Sequence, residues 1–496
     1  MFIYTLLISI IFVNLIDISS KYILGKSSNE QQPFSGSVSL LLEISFRCSI
    51  FAIVYSFLLT LTGRNIASSL ITIPFFTIIL FGSFIKNKVL GETLMFCDVA
   101  IIKLFIKHPQ FYFNAIPLYS RFILAISLPI LLLLVFYIFL YDILNNIDYA
   151  VINRTIGLII FVIFIFLLNI SSLFGLPKKM LPNPQLEDAN KKYGILVTFV
   201  LGWLRWKEDK KTIINLNKNT YPIVRNTDKP IVIIIQCESF SDPKDLNIKY
   251  DSHKYINNIY RSKKLGEVGK LLVSGFGAYT MRTEYGLIFG HEEDVLGFCR
   301  FDPYLTALKV TKNSLPHRLS TVCSKRFFIH PHDLNFYDRA TIMPAVGFNH
   351  LVGINDFRGA SHSGRYISDQ AIGEKIKALT KNAIQDNIGA LIYAVTIENH
   401  GPWSGGIKDY LSHLKNGDTL FGDIRQFLEK ENINALLVFL GDHRPSIPNK
   451  VIPRNERFTP FAICGFGQIK YNNDFSEIFM TPAQLHHFIL EKLIYK

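Results

Sequence analysis

Five short polar clusters hold the groups in this sequence best suited to chemistry. They are Cys237-Glu238-Ser239-Phe240, the loop from Gly275 to Thr280, His330-Pro331-His332-Asp333, Glu398-Asn399-His400 and Gly441-Asp442-His443. Glu238, Asp442 and His443 offer two hard oxygens and one imidazole nitrogen, a donor set that suits Zn²⁺ or Mn²⁺. A bare threonine hydroxyl is a poor nucleophile at neutral pH, and a neighbouring divalent cation makes it an effective one. In GAYTMRTEYGLIFG the Thr280 hydroxyl falls where a glycine-bearing loop enters a helix expected to start near Met281. Such a helix start adds backbone N–H groups and a positive dipole for a phosphate oxygen. Thr283, or a plain helix-capping role for Thr280, is the alternative at this point.

Each cluster must be carried by something, and apolar runs precede them. These are Ile231–Gln236, Leu271–Val273, Arg326–Ile329, Ala390–Val395, Ala435–Leu440 and Pro460–Cys464, with helical patterns at Ser368–Leu379 and Leu420–Glu431 between them. Short buried runs alternating with helices predict an α/β domain with a mostly parallel central sheet and helices on both faces. In such sheets the active site lies beyond the carboxyl ends of the strands. Asp and His also serve in turns, so one cluster at one strand end means little. A full set in chain order is not explained by turn chemistry.

The N-terminal third is different. Apolar stretches near Phe2–Ser19, Val38–Thr62, Ser69–Ile85, Phe122–Tyr141 and Ile156–Phe174 approach the roughly 20 residues a helical membrane span needs. They concentrate the hydrophobic excess of this sequence in its first third. The expected organisation is an all-α polytopic membrane domain over 1–175, a juxtamembrane linker over 176–228 and a catalytic domain over 229–496. The first stretch lacks the basic start and small-residue cleavage site of a signal peptide, so it reads as retained. Glu43 and Arg47 sit four apart and can pair on one helix face, or else mark the wet end of a shorter span. Gly194–Trp206 reads as a helix in the membrane interface or as an amphipathic helix packed on a domain, and Val99–Ile116 as an interfacial segment. Lysines 21, 26, 86, 88, 103 and 107 crowd the first and third loops; taken literally, the positive-inside rule puts the C-terminal domain in the cytoplasm.

The formal charge of +13 favours anionic partners such as phospholipid head groups or phosphorylated glycans. No compact Arg-rich block with interleaved aromatics speaks for nucleic acid. The six cysteines show no metal-binding or disulfide-framework spacing; Cys299 and Cys323 pair or remain buried thiols.

Taken together, ESF at Glu238–Phe240, TMRTE at Thr280–Glu284, HPHDLNFYDR at His330–Arg339, ENHGPW at Glu398–Trp403 and GDH at Gly441–His443 resemble a known pattern. It is that of lipoteichoic acid synthases and related phosphoglycerol and phosphoethanolamine transferases, a sulfatase-like branch of the alkaline-phosphatase superfamily. The resemblance implies Glu238, Thr280, Asp442 and His443 as ligands of one divalent metal, Mn²⁺ or Zn²⁺, with Thr280 as nucleophile. It implies His330 and Arg339 at the phosphate, His400 as proton donor to the leaving group, and Tyr337 and Trp403 along the head-group pocket. His332 reads as a structural histidine. It further implies a phospholipid donor, an envelope glycan acceptor and a phospho-threonine intermediate. The place is the bacterial cytoplasmic membrane, with the catalytic domain extracytoplasmic or periplasmic, against the loop-charge count. The SGFGAY stretch before Thr280, and the ENHGPW and HPHD motifs, sit closer to glycan-modifying relatives than to polymer synthases. The alternatives are a phosphodiesterase, a non-catalytic membrane scaffold, and a sulfatase. A sulfatase needs a modified Cys or Ser in C/S-x-P-x-R, a motif not expected here, and a threonine cannot become formylglycine.

Overall fold

The computed structural model describes residues 2–24, 36–100, 118–145, 149–218, 229–246, 248–263, 266–447, 450–453, 456–469 and 478–494. These form two compact units, Met1–Asp209 and Lys210–Lys496. Most of the expected interfacial segment Val99–Ile116 lies outside the described residues.

The first unit carries five helices long and apolar enough to cross a membrane. They are α1 (Phe2–Leu24), α2 (Gly36–Thr62), α3 (Asn65–Leu90), α4 (Leu118–Asn145) and α5 (Ala150–Leu173). The shortest, α1 with 23 residues, is about 35 Å long against a hydrocarbon core of about 30 Å. Outward side chains such as Leu133, Phe136 and Tyr137 on α4 are well exposed, as lipid-facing positions are. Val13, Phe51, Phe76 and Leu80 form the interior together with Ile195 and Leu196. Those last two open the helix Ile195–Thr212, so the Gly194–Trp206 segment is packed into its own unit and does not lie free along an interface.

Arg47 organises the charged interior of this unit. Its Nε donates to Asp17 Oδ2 at 2.8 Å, and its Nη2 to Glu43 Oε2 at 3.2 Å and to the Tyr193 carbonyl at 2.5 Å. Lys21 completes the group by pairing with Glu43 at 3.0 Å. The Glu43–Arg47 spacing therefore marks a buried network. Gly194 follows, at φ 89°, where an added Cβ would lie 2.4 Å from Asp17 Oδ2. Two lysines of the loop-charge count, Lys21 and Lys86, are ion-paired within the unit, to Glu43 and Asp98.

The second unit is built on an eight-stranded sheet in the order β10-β2-β9-β8-β1-β7-β3-β4. The strands are β1 (Ile231–Cys237), β2 (Gly266–Leu272), β3 (Lys325–Ile329), β4 (His350–Val352), β7 (Ala390–Val395), β8 (Ala435–Gly441), β9 (Phe458–Phe466) and β10 (Ile478–Met480), with β5 (His362–Ser363) and β6 (Tyr366–Ile367) forming a separate hairpin. β8, β1, β7, β3 and β4 run parallel, whereas β9 is antiparallel to both β8 and β2. Central β1 is buried along its whole length, which is why it reads as the unbroken run IVIIIQC. Helices Asp369–Gln385 and Ile407–Glu431 contribute Ile372, Ile376, Leu414 and Phe421 to the core with Ile233, Ile235 and Leu437. Val232 and Ile234, on the other side of β1, are equally buried. The expected run Leu271–Val273 is the end of a longer, half-exposed strand. Its alternating residues pair antiparallel with β9 and made it a weak apolar signal.

Candidate active site

The parallel strands end together. Glu238 follows β1, His330 follows β3, Glu398 and His400 come after β7, and Asp442-His443 follow β8. β1 and β8 are direct neighbours, with Cys237 opposite Gly441, so the residues after them are forced together. Gly441 allows the close approach, since a Cβ there would lie 2.0 Å from the Phe240 carbonyl oxygen.

Glu238, Asp442 and His443 are all buried, and one ligand atom from each lies within 4.8 Å of the others. Their hydrogen bonds sort the donor atoms. Asp442 Oδ1 accepts the backbone N–H of Ser239 and of His443, both at 2.8 Å. Asp442 Oδ2 is buried and, among the described residues, accepts no hydrogen bond. His443 Nδ1 lies 3.2 Å from the Arg444 carbonyl, which can only accept, so the proton sits on Nδ1. The lone pair of Nε2 then faces Glu238 Oε1 at 3.3 Å and Asp442 Oδ2 at 3.4 Å. Burial, and then the neighbouring Asp442 charge, push the Glu238 carboxyl up to about 8. Three donor atoms converge in a buried space that sets two carboxyl groups against each other, and among the described residues Asp442 Oδ2 has no hydrogen-bond partner. A divalent cation resolves that conflict, so the residues fit one.

The glycine-bearing loop sits on this cluster. Gly277 N–H donates to the Arg444 carbonyl at 2.7 Å, and Tyr279 adopts a left-handed φ of 72° just before the helix Thr280–Phe289. Gln236 Nε2, two residues before Glu238, donates to the Thr280 carbonyl at 3.3 Å. Thr283 Oγ1 donates to the Asp442 carbonyl at 2.7 Å, which commits that hydroxyl to the scaffold. Among the described residues no hydrogen bond holds the Thr280 hydroxyl. The helix start at Thr280 is thus tethered twice, to β1 through Gln236 and to the turn after β8 through the Asp442 carbonyl.

His330 is buried, and its Nδ1 lies 3.0 Å from the Val395 carbonyl. Burial, then the Arg339 charge, drive its pKa well below the usual histidine range, so it is neutral. His400 resembles it: Nδ1 is 2.7 Å from the Gly401 carbonyl, and burial lowers its pKa. Its resting form therefore has no proton on Nε2. A neutral His400 donates to a leaving group once it has accepted a proton. Arg339 is buried as well. Its Nε and Nη2 grip Glu284 Oε1 and Oε2 at 3.0 and 2.8 Å, so one edge of the fork is already occupied. Tyr337 is half-buried, with its ring centroid 5.2 Å from the Arg339 guanidinium carbon. Trp403 is half-buried too, and its Nε1 donates to Asn399 Oδ1 at 3.0 Å.

Sequence reasoning passed over the residues that brace this cluster. Ser239 Oγ donates to Glu238 Oε1 at 2.9 Å, and Thr396 Oγ1 accepts the Glu238 N–H at 3.1 Å. Ser239 lay inside the ESF motif, whereas Thr396 offered only its position after β7. Glu398, for all its place in ENHGPW, accepts the Asp369 N–H at the start of the helix Asp369–Gln385 and an Asn416 amide proton, both at 2.6 Å. Cys299 and Cys323 are both buried free thiols.

Parallel strands thus deliver a buried Glu/Asp/His cluster at their carboxyl ends in an α/β domain, with the helix that starts at Thr280 tethered to it. Residues 230–462, a little under half of the chain, match the Sulfatase family model. The chain is 23% identical over 448 residues to the capsular polysaccharide biosynthesis protein RkpI of Rhizobium meliloti (strain 1021), covering 84% of this chain and 80% of that one. A putative cyclic beta-1,2-glucan modification protein of the same organism is 20% identical over 245 residues, 44% of this chain and 36% of its own. The integral membrane lipooligosaccharide phosphoethanolamine transferase A (EptA) of Neisseria meningitidis shares the fold along the whole chain. Its TM-score is 0.52 at 10% identity, with 99% of this chain and 95% of that one covered.

The sulfatase signature does occur, as Ser314-Leu315-Pro316-His317-Arg318, but away from the cluster. Ser314 is fully buried and donates to the Val346 carbonyl at 2.7 Å. Arg318 reaches His486, which is bonded to Leu287 toward the far end of the helix that begins at Thr280.

Proposed function

We propose that this protein transfers a phosphoglycerol or phosphoethanolamine group from a membrane phospholipid to an envelope glycan by way of a phosphoester on Thr280. The observation that carries the reading is the division of hydroxyls on one helix. Thr283 Oγ1 is tied to the Asp442 carbonyl, whereas among the described residues no hydrogen bond holds the hydroxyl of Thr280, whose carbonyl is bonded by Gln236, two residues before Glu238. Five helices of membrane-spanning length favour a lipid donor, and the capsular-polysaccharide relative favours a glycan acceptor. On this reading the catalytic domain faces outward from the bacterial cytoplasmic membrane, where lipid and glycan meet.

Glu238, Asp442 and His443, with Thr280, hold one divalent ion, Mn²⁺ or Zn²⁺. Bound there, the ion supplies a Lewis acid that lowers the hydroxyl pKa and offsets phosphoryl charge. Thr280 Oγ1 bonds to phosphorus as the bond to the diacylglycerol oxygen breaks. His400, neutral at rest, takes the Thr280 proton at Nε2 and returns it to the diacylglycerol oxygen. In the second displacement a glycan hydroxyl attacks the same phosphorus, its proton leaves by the same imidazole, and Thr280 is restored. His330 and Arg339 bind phosphate oxygens, and Tyr337 and Trp403 flank the head group.

The test is intact-mass analysis of the full-length protein after incubation with Mn²⁺ or Zn²⁺ and vesicles of mixed phosphatidylglycerol and phosphatidylethanolamine, beside Thr280→Ala. An adduct of phosphoglycerol or phosphoethanolamine mass on wild type alone supports the reading and names the donor. Diacylglycerol release undiminished in Thr280→Ala would overturn it. Release that needs Thr280 but consumes water in place of any glycan would assign a phosphodiesterase.

A further inference from the structure

We propose that Glu284 is a positioning residue of this site, aiming Arg339 at the phosphate that Thr280 attacks. The inference rests on Thr280 as the nucleophile. Thr280 and Glu284 are one turn apart in the helix Thr280–Phe289, so they share a face with about 5–6 Å between Cβ atoms. Arg339 arrives from another part of the chain and grips Glu284 side-on with two hydrogen bonds, which fixes its guanidinium on the carboxylate one turn along the helix from Thr280.

The approach is built at a cost. Tyr337 and Asp338, immediately before Arg339, both adopt left-handed backbone conformations, at φ 58° and 54°. Two successive non-glycine residues in that region are strained, and such strain persists where the surroundings over-determine a functional side chain. Glu284 and Arg339 are at most 2% exposed, and Tyr304 OH donates a further hydrogen bond to Glu284 Oε1. A buried ion pair is weak as a stabilising device, because desolvating both charges offsets their attraction. This pair instead joins the nucleophile's helix to the loop that carries the cation.

The guanidinium geometry says what remains. Of five N–H donors, the pair takes the one on Nε and one on Nη2. Among the described residues Nη1 makes no hydrogen bond to protein. The outstanding donors form the kind of fixed, planar fork that binds phosphate oxygens. Held by Glu284, they are oriented before substrate arrives, and preorganised charge of this sort acts mainly on the transition state. An untethered Arg339 keeps its charge but loses its direction.

The experiment compares wild type, Glu284→Gln, Arg339→Lys and the double variant as full-length metal-loaded proteins on phosphatidylglycerol–phosphatidylethanolamine vesicles, following diacylglycerol release. For Glu284→Gln the expected result is a fall in kcat of about 100-fold, with less than a threefold change in lipid KM and unchanged metal content. The double variant should be little worse than either single one, because both remove the same aimed contact. Glu284→Gln with wild-type kcat, or fully additive losses, would overturn the proposal and leave a structural ion pair. If Glu284→Gln does not fold, Tyr304→Phe decides, since it removes only the third bond to Glu284; about a fivefold to tenfold loss in kcat supports the role and no loss overturns it. Thr280→Ala runs alongside. Activity surviving in that variant would show that the nucleophile assignment had failed, whatever Glu284 does.

Discussion

Stripping the metal should make this protein less stable as the pH rises, through one identifiable residue. Without a cation, Glu238 shares a buried space with the Asp442 carboxylate, and its pKa is held up at about 8. In the unfolded chain a glutamate loses its proton near 4.3. Between those values the unfolded state has already released the proton that the folded state retains. The contribution of Glu238 is therefore present at low pH and lost as pH climbs toward 8. The buried histidines act in the opposite sense. His330 and His486 are driven well below the usual range by burial, so what they contribute is lost on acidification below about 6.5. A window from pH 6.5 to 8.5 isolates the carboxylate. Across it, at about 1.4 kcal/mol per unit, Glu238 accounts for about 2 kcal/mol, or roughly 4 °C in Tm for a unit of this size. Asp369, buried beside Glu398 with its pKa raised well above the ordinary value, contributes with the same sign, so the control is chelator-treated Glu238→Gln. The assay is thermal unfolding of the detergent-solubilised protein with chelator or with excess Mn²⁺. Metal-free wild type should lose Tm with rising pH more steeply than metal-free Glu238→Gln, and the metal-loaded protein should not show the loss. If the two metal-free proteins run parallel across the window, Glu238 and Asp442 are not a forced pair and the argument for a cation there fails.

Three other outcomes follow from single contacts. Thr283→Val leaves the Asp442 carbonyl unsatisfied and should cost about 1–3 kcal/mol of stability while retaining measurable lipid turnover, whereas Thr280→Ala should remove turnover with little change in Tm; diacylglycerol release and a melting curve separate them. Arg47→Met leaves Asp17 and Glu43 buried without their shared cation and should destabilise the membrane unit by about 3–5 kcal/mol, read as loss of monodisperse protein on heating in detergent. Gly441→Ala drives a methyl group into the Phe240 carbonyl, so metal content per folded protein should fall sharply in elemental analysis.

The legible parts of this molecule were those where one element dictates its own pattern. The run IVIIIQC could be nothing but a strand buried on both faces, and the five apolar stretches announced their helices by length alone. The ends of the parallel strands then marked where Glu238, Asp442 and His443 would meet. What stayed hidden were partnerships across the chain. Nothing in HPHDLNFYDR says that Arg339 will meet Glu284, because that contact joins two helices whose relative placement only the assembled sheet provides. The same holds for Thr283, a plausible nucleophile by spacing and a scaffold residue once its hydroxyl meets Asp442. β2 escaped clean recognition because a half-exposed strand with glycine and lysine has little periodicity to read.

Asp442 shows how closely scaffold and chemistry are joined here. Oδ1 gathers two backbone N–H groups and so fixes the turn after β1 against the turn after β8, while its backbone carbonyl receives Thr283 and fixes the helix that begins at Thr280. Only Oδ2 is left over, buried and pointing into the cluster. The residue that would anchor the metal is thus also the residue that sets the distance between the metal's ligands and the threonine. An Asp442→Asn change could not be read as a pure loss of charge, because the amide must choose which oxygen position to keep. With its oxygen at Oδ1, the turns hold and an N–H faces Glu238 and His443; with the amide reversed, two backbone donors lose their acceptor. Separating the two roles requires a change one shell away. Ser239→Ala offers it, removing a hydrogen bond from Glu238 while leaving all three Asp442 contacts intact.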